Sequence, residues 1–129
     1  MPIQFQYEST AYFGHDFKVV IKDNTLSYGL RERASGSHEG LRMVTLDVDQ
    51  KKIVTFLDSL VRLKESDKEI MGHGYDGMSY TLKCNTYKIK KKIEGYMEME
   101  PEVKKCVNRM MRLHPDLKKP TEKPWEDNV

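Results

Sequence analysis

The chain is poor in the residues and patterns that usually announce a function. Cysteine occurs twice in 129 residues, at 84 and 106, which is too few for a disulfide scaffold. Both fall at core-facing positions and are expected as buried free thiols, since free cysteine packs like a small hydrophobe. The histidines, His15, His38, His73 and His114, are scattered at no spacing that suits zinc, so neither a metal nor a cofactor is expected. No Ser or Cys nucleophile sits beside an evident activating group, and catalytic activity is not expected. No apolar run approaches the roughly 18 residues of a membrane span. The opening Met1-Pro2-Ile3-Gln4-Phe5-Gln6-Tyr7 has neither a basic leader nor an apolar signal core, so the cytoplasm is the expected location. Neither sign of charge prevails, with 22 basic against 20 acidic residues and a net +2. A dedicated nucleic-acid binder usually carries a larger excess, so any electrostatic function has to come from local clustering.

What the chain does have is periodicity. Ile3, Phe5 and Tyr7 alternate with polar residues, which predicts a first strand. Two alternating runs, Phe17 to Lys22 and Leu26 to Arg31, flank Asp23-Asn24. Asp and Asn tolerate the positive φ of tight turns, so the pair predicts a hairpin. Residues 32–40, with almost no apolar content, read as an exposed loop, and Leu41 to Leu46 as a short strand. Asp47 is the expected cap of a helix over about 48–64, with Ile53, Phe56, Leu57, Leu60 and Leu63 on one stripe. A short edge strand is expected around Ile70-Met71. A second hairpin follows, with Met78, Tyr80, Leu82 and Cys84 inward, a turn at Asn85-Thr86, and Tyr87, Ile89 and Ile93 inward again. Lys91 lands on the inner face in this register, and a bulge or a twisted strand end is the expected reason. Pro101 suits the first turn of a helix over about 101–113, whose stripe is Val103, Cys106, Val107, Met110, Met111 and Leu113.

These elements predict a single α+β domain over residues 1–114. It should be an antiparallel sheet of about five or six strands with both helices packed on one face. Residues 115–129, with three prolines and seven charges, read as a loose tail. It carries the lone tryptophan, Trp125, a candidate docking anchor for a partner.

Two clusters stand out as candidate sites. Lys83, Lys88, Lys90 and Lys92 should project from the outer face of the second hairpin, and Lys18, Lys22 and Arg31 from the first. Together they would attract an anion such as a nucleotide; equally, lysine keeps an exposed strand soluble. Tyr80 and Tyr87, the aromatics that would stack on bases, point inward in this register, which counts against single-stranded nucleic acid. The second cluster is the loop around His73, Tyr75 and Asp76, which offers a donor, an acceptor and a group titrating near neutral pH. An enzyme would need a pocket joining these three to a nucleophile. Asp76-Gly77 is otherwise explained as the turn that opens the strand at Met78.

The stretch from Tyr75 to Leu113 resembles a group of small bacterial α+β domains of unknown function. The matching residues are Asp76, Gly77, Tyr80, Gly95, Tyr96 and Pro101, followed by the helix from Val103 to Leu113. The resemblance implies a sheet-and-helix fold and transfers no active site. The leading functional expectation is a non-catalytic protein of a bacterium or phage that occupies a partner protein, as an inhibitor or immunity protein does. The alternative is sequestration of a nucleotide-like anion by the lysine face. A homodimer formed through an exposed edge strand is a further expectation.

Overall fold

The computed structural model describes residues 3–11, 16–31, 41–66, 69–71, 78–96 and 100–117. Among these residues, seven strands form one sheet: β1 (Ile3–Ala11), β2 (Asp16–Lys22), β3 (Thr25–Arg31), β4 (Val44–Leu46), β5 (Glu69–Met71), β6 (Met78–Asn85) and β7 (Lys90–Tyr96). Their order is β4-β3-β2-β1-β6-β7-β5, antiparallel throughout except for the short β5, which joins β7 in parallel at one edge. Two helices, α1 (Gln50–Ser59) and α2 (Pro101–Met111), cover one face. The fold is the expected α+β architecture, with seven strands where about five or six were expected.

Alternation decides which face is covered. Phe5, Tyr7, Phe17, Val19, Ile21, Leu26, Tyr80, Leu82, Cys84 and Ile93 all point to the helix side and are buried. The helices answer with their apolar stripes. The Phe56 ring of α1 meets Phe5 edge-on at 5.0 Å, and Val103, Cys106, Val107, Met110 and Met111 close the core from α2. Leu117 is fully buried as well, so the core extends three residues past His114.

The first hairpin turns as its sequence demands. Asp23 and Asn24 have φ of 52° and 56°, the paired positive values of a type I′ turn. The Gln4 side-chain amide clasps Asn24, accepting from its backbone N–H at 2.9 Å and donating to its side-chain oxygen at 3.1 Å. In β7, Gly95 lies directly opposite Tyr80. The Tyr80 ring occupies the space a Cβ would fill, with ring atoms 2.2–2.5 Å from that position.

Three local expectations need correction. The helix cap is Asp49, not Asp47: its carboxylate accepts from Lys51 N at 2.9 Å, and α1 begins at Gln50 before ending in a single 3₁₀ turn, Leu60–Leu63. Tyr87 is 90% exposed, not inward. Asn85 pairs with Lys90, so the loop between them is four residues long and breaks the alternation counted through it. Thr86 organises that loop. Its hydroxyl accepts from the N–H groups of Lys88 and Ile89, both at 3.2 Å, while its own N–H donates to Ile89 O at 2.9 Å.

Lys91 does sit on the inner face, but no bulge puts it there; the β6–β7 register is continuous from Ser79 to Asn85. Its ammonium reaches the end of the 3₁₀ turn and donates to the carbonyls of Leu63 and Lys64, both at 2.8 Å, and of Ser66. A helix end presents carbonyls without intrahelical partners and the negative end of the backbone dipole. Lys91 supplies the donors and the compensating charge.

Candidate functional site

The open face of the sheet is more mixed than a lysine stripe. Lys83, Lys90 and Lys92 do project from β6 and β7, and Lys18, Lys22 and Arg31 lie on the corresponding face of β2 and β3. However, β1 runs between the two groups and contributes Gln6 and Glu8 to this face, with Glu8 directly opposite Lys18. The Gln6 side chain is bonded to Glu8. Arg31 pairs with the buried Asp16 at 3.4 Å, and Lys92 pairs with Glu94 at 2.8 Å. The Lys92 hydrogen bond and the nearby Lys83 charge hold the Glu94 carboxyl below its ordinary pKa. Near Gly29, residues 41–43 lie across β3, and no room remains there for a Cβ.

Lys88 departs from the stripe altogether. It sits in the β6–β7 loop and turns toward α1, where its ammonium meets Asp58 at 3.1 Å. That hydrogen bond raises the Lys88 pKa. Its ammonium also lies 5.6 Å from the centroid of the exposed Tyr87 ring. Three of the seven stripe cations, Arg31, Lys88 and Lys92, are thus in ion pairs. His73, Tyr75, Asp76 and Trp125 lie outside the described residues.

A second cationic surface, on the opposite side of the molecule, escaped the sequence reading. Between α1 and α2 runs a groove of about 470 Å³ lined by Lys51, Lys52, Arg62, Arg109, Arg112 and, at its apolar floor, Phe56 and Leu113. Thr55 and Ser59 complete the α1 wall. The Ser59 hydroxyl donates to Phe56 O at 2.6 Å. Lys51, Thr55, Ser59 and Arg62 follow helical spacing along α1 and its 3₁₀ extension, and so share a face. Arg109 and Arg112 are three residues apart at the end of α2.

Among the described residues, no carboxylate lines this groove. None of its five cations is in an ion pair or a side-chain hydrogen bond among the described residues. Arg109 is the extreme case: its Nε and Nη2 are shielded from solvent and have no hydrogen-bond partner among the described residues. These two atoms form one edge of the guanidinium fork, the edge that matches a two-oxygen anion. A buried donor left unsatisfied costs about 1–3 kcal/mol, and more when charged. Cations in the last turn of α2 do offset the helix dipole. That effect accounts for the charge on Arg109 and Arg112, but not for burying the guanidinium edge without an acceptor.

The two cysteines behave as hydrophobes. Both are buried and free, and burial pushes each thiol up to about 12. Burial likewise pushes the Tyr80 hydroxyl up to about 12 and raises that of Tyr7. None of these groups is poised to ionise near neutral pH. No helix among the described residues is long and apolar enough to cross a membrane. Comparison of the chain with family models, curated proteins and solved structures finds no match.

Proposed function

We propose that the protein is a non-catalytic binding protein that occupies an acidic segment of a partner protein in the groove between α1 and α2. The observation that carries this reading is the set of five cations around an apolar floor, with no ion pair to them and no carboxylate among them within the described residues. Like charges crowded together repel, and that cost persists until an anion arrives. The extent of the groove favours a chain segment over a small ion. Lys51 and Arg62 are eleven residues apart along the helix and its extension, roughly 16–18 Å. One phosphate cannot span that distance, whereas five or six residues of extended chain do. Phe56 and Leu113 give such a segment a place for an apolar side chain between its acidic ones.

The test is a pull-down with the full chain and two double charge reversals. Arg109→Glu with Arg112→Glu alters the groove; Lys22→Glu with Lys90→Glu alters the sheet face. The native chain and the sheet variant should retain one stoichiometric partner, and the groove variant should lose it. Retention by the groove variant with loss by the sheet variant refutes this assignment. Binding should also weaken as salt is raised.

The second reading places a small nucleotide-like anion on the sheet side. A depression of about 470 Å³ there is lined by Lys64, Lys88, Ile89, Lys90, Lys91 and Lys92. Lys88, Lys91 and Lys92 are already committed to Asp58, backbone carbonyls and Glu94, which leaves Lys64 and Lys90 to hold a ligand. A thermal shift with nucleotides that vanishes in Lys64→Glu with Lys90→Glu would support it. No shift across the panel removes it.

A further inference from the structure

We infer that the group seated in the groove is a phosphate monoester carried by a peptide side chain, so that the partner segment is recognised in its phosphorylated form. This rests on the reading of the groove as a protein-binding surface and adds the chemistry of the ligand. Five cations surround one groove, and none is in an ion pair among the described residues. A carboxylate brings one negative charge and two oxygens. A phosphoserine or phosphotyrosine brings nearly two charges and three acceptor oxygens. The latter can give two oxygens to one guanidinium edge and a third, separate oxygen to a second cation.

The donor types agree. Three of the five cations are arginines, Arg62, Arg109 and Arg112, and two of these are one turn apart at the same end of the groove. Planar guanidinium groups match phosphate through paired parallel hydrogen bonds, which an ammonium cannot reproduce. Arg109 presents such a pair, Nε and Nη2, with no acceptor. Solvent does not reach these atoms, so whatever covers them must move to admit the phosphate. Phe56 and Leu113 then contact the residue next to the phosphorylated one.

The experiment measures fluorescence anisotropy of the full chain with three labelled peptides of one acidic, leucine-containing sequence. The central residue is serine, glutamate or phosphoserine. Adenosine monophosphate serves as an unlabelled competitor. The phosphopeptide should bind at least about tenfold more tightly than the glutamate peptide, since arginine forks favour the dianion. Arg109→Lys keeps the charge but removes the fork, so it should abolish that preference while leaving the glutamate peptide's affinity within about threefold. Circular dichroism confirms that the variant is folded. Equal affinity for the phosphoserine and glutamate peptides overturns the phosphate assignment and leaves the acidic-segment reading standing. Binding of none of the peptides overturns both. Adenosine monophosphate binding as tightly as the phosphopeptide overturns the peptide source.

Discussion

Replacing Lys91 by methionine tests the most unusual contact in the core. The substitution keeps the apolar stem and its packing but removes three charged donors. A hydrogen bond to a charged group contributes about 1.5–3 kcal/mol, so three would give an upper bound near 5–9 kcal/mol. The real loss must be smaller. Lys64 and Glu65 are exposed, so water can rehydrate carbonyls at this end of the helix once the ammonium is gone. The lost charge–dipole attraction adds about 0.3–1 kcal/mol. A net cost of about 2–4 kcal/mol follows, within the range that breaking a buried polar network produces. Urea unfolding measures it. With an m-value near 2 kcal/mol/M, the midpoint should fall by roughly 1–2 M while m stays constant. The neighbouring Lys90 is an internal control: it has the same side chain, is one residue away, and projects from the opposite, exposed face. Lys90→Met should change stability by less than about 0.5 kcal/mol. Equal costs for the two variants would refute the idea that Lys91 fastens the helix end to the sheet.

Two other perturbations follow from the core. Gly95→Ala places a methyl group inside the Tyr80 ring. It should destabilise by about 2 kcal/mol or more, and Gly95→Ala with Tyr80→Leu should cost clearly less than the sum of the single changes, as denaturation of the four-member cycle would show. The thiols give a pH dependence. Their folded pKa of about 12 exceeds the ordinary value of 9.0, so their contribution is fully present below pH 9 and is lost as pH rises from 9 toward 12. Each thiol should contribute a slope of up to about 1.4 kcal/mol per pH unit in that window. Urea midpoints of the native chain and of Cys84→Ala with Cys106→Ala, compared at pH 8 and 10.5, isolate the thiols from the tyrosines and lysines. Parallel pH profiles would refute the assignment.

Local rules made much of the fold legible. Asp23-Asn24 fixed a turn by its tolerance of positive φ, and alternation named Phe5, Tyr7, Phe17, Val19, Ile21, Tyr80, Leu82 and Cys84 as buried; it failed at Ile3, which lies beyond a register shift in β1 and is exposed. The failures have a common physical origin in contacts distant along the chain. Lys91 was legibly inward, but the carbonyls that justify it lie 25–28 residues earlier. Tyr87 was misplaced because alternation was carried through a four-residue loop as though it were a shorter turn. The groove was hidden for a similar reason. Lys51, Lys52 and Arg62 on one helix, and Arg109 and Arg112 on the other, each read as an ordinary solvated face. Only the crossing of the helices gathers them, and periodicity within one helix carries no information about its neighbour's placement. A run from Asp49 to Arg62 holding three cations and a single interior acid, Asp58, was the available hint.

Strand β1 occupies the middle of the sheet, where Phe5 meets Ile21 on one side and Cys84 on the other. During synthesis the neighbour on the β2 side arrives within some twenty residues, while the opposite border of β1 stays unzipped until β6 emerges. Closing that gap joins positions nearly eighty residues apart, which makes it the entropically slow step of assembly. Until then the nascent chain displays an adhesive margin flanked by phenylalanine and tyrosine, so any fragment ending before β6 should be prone to self-association.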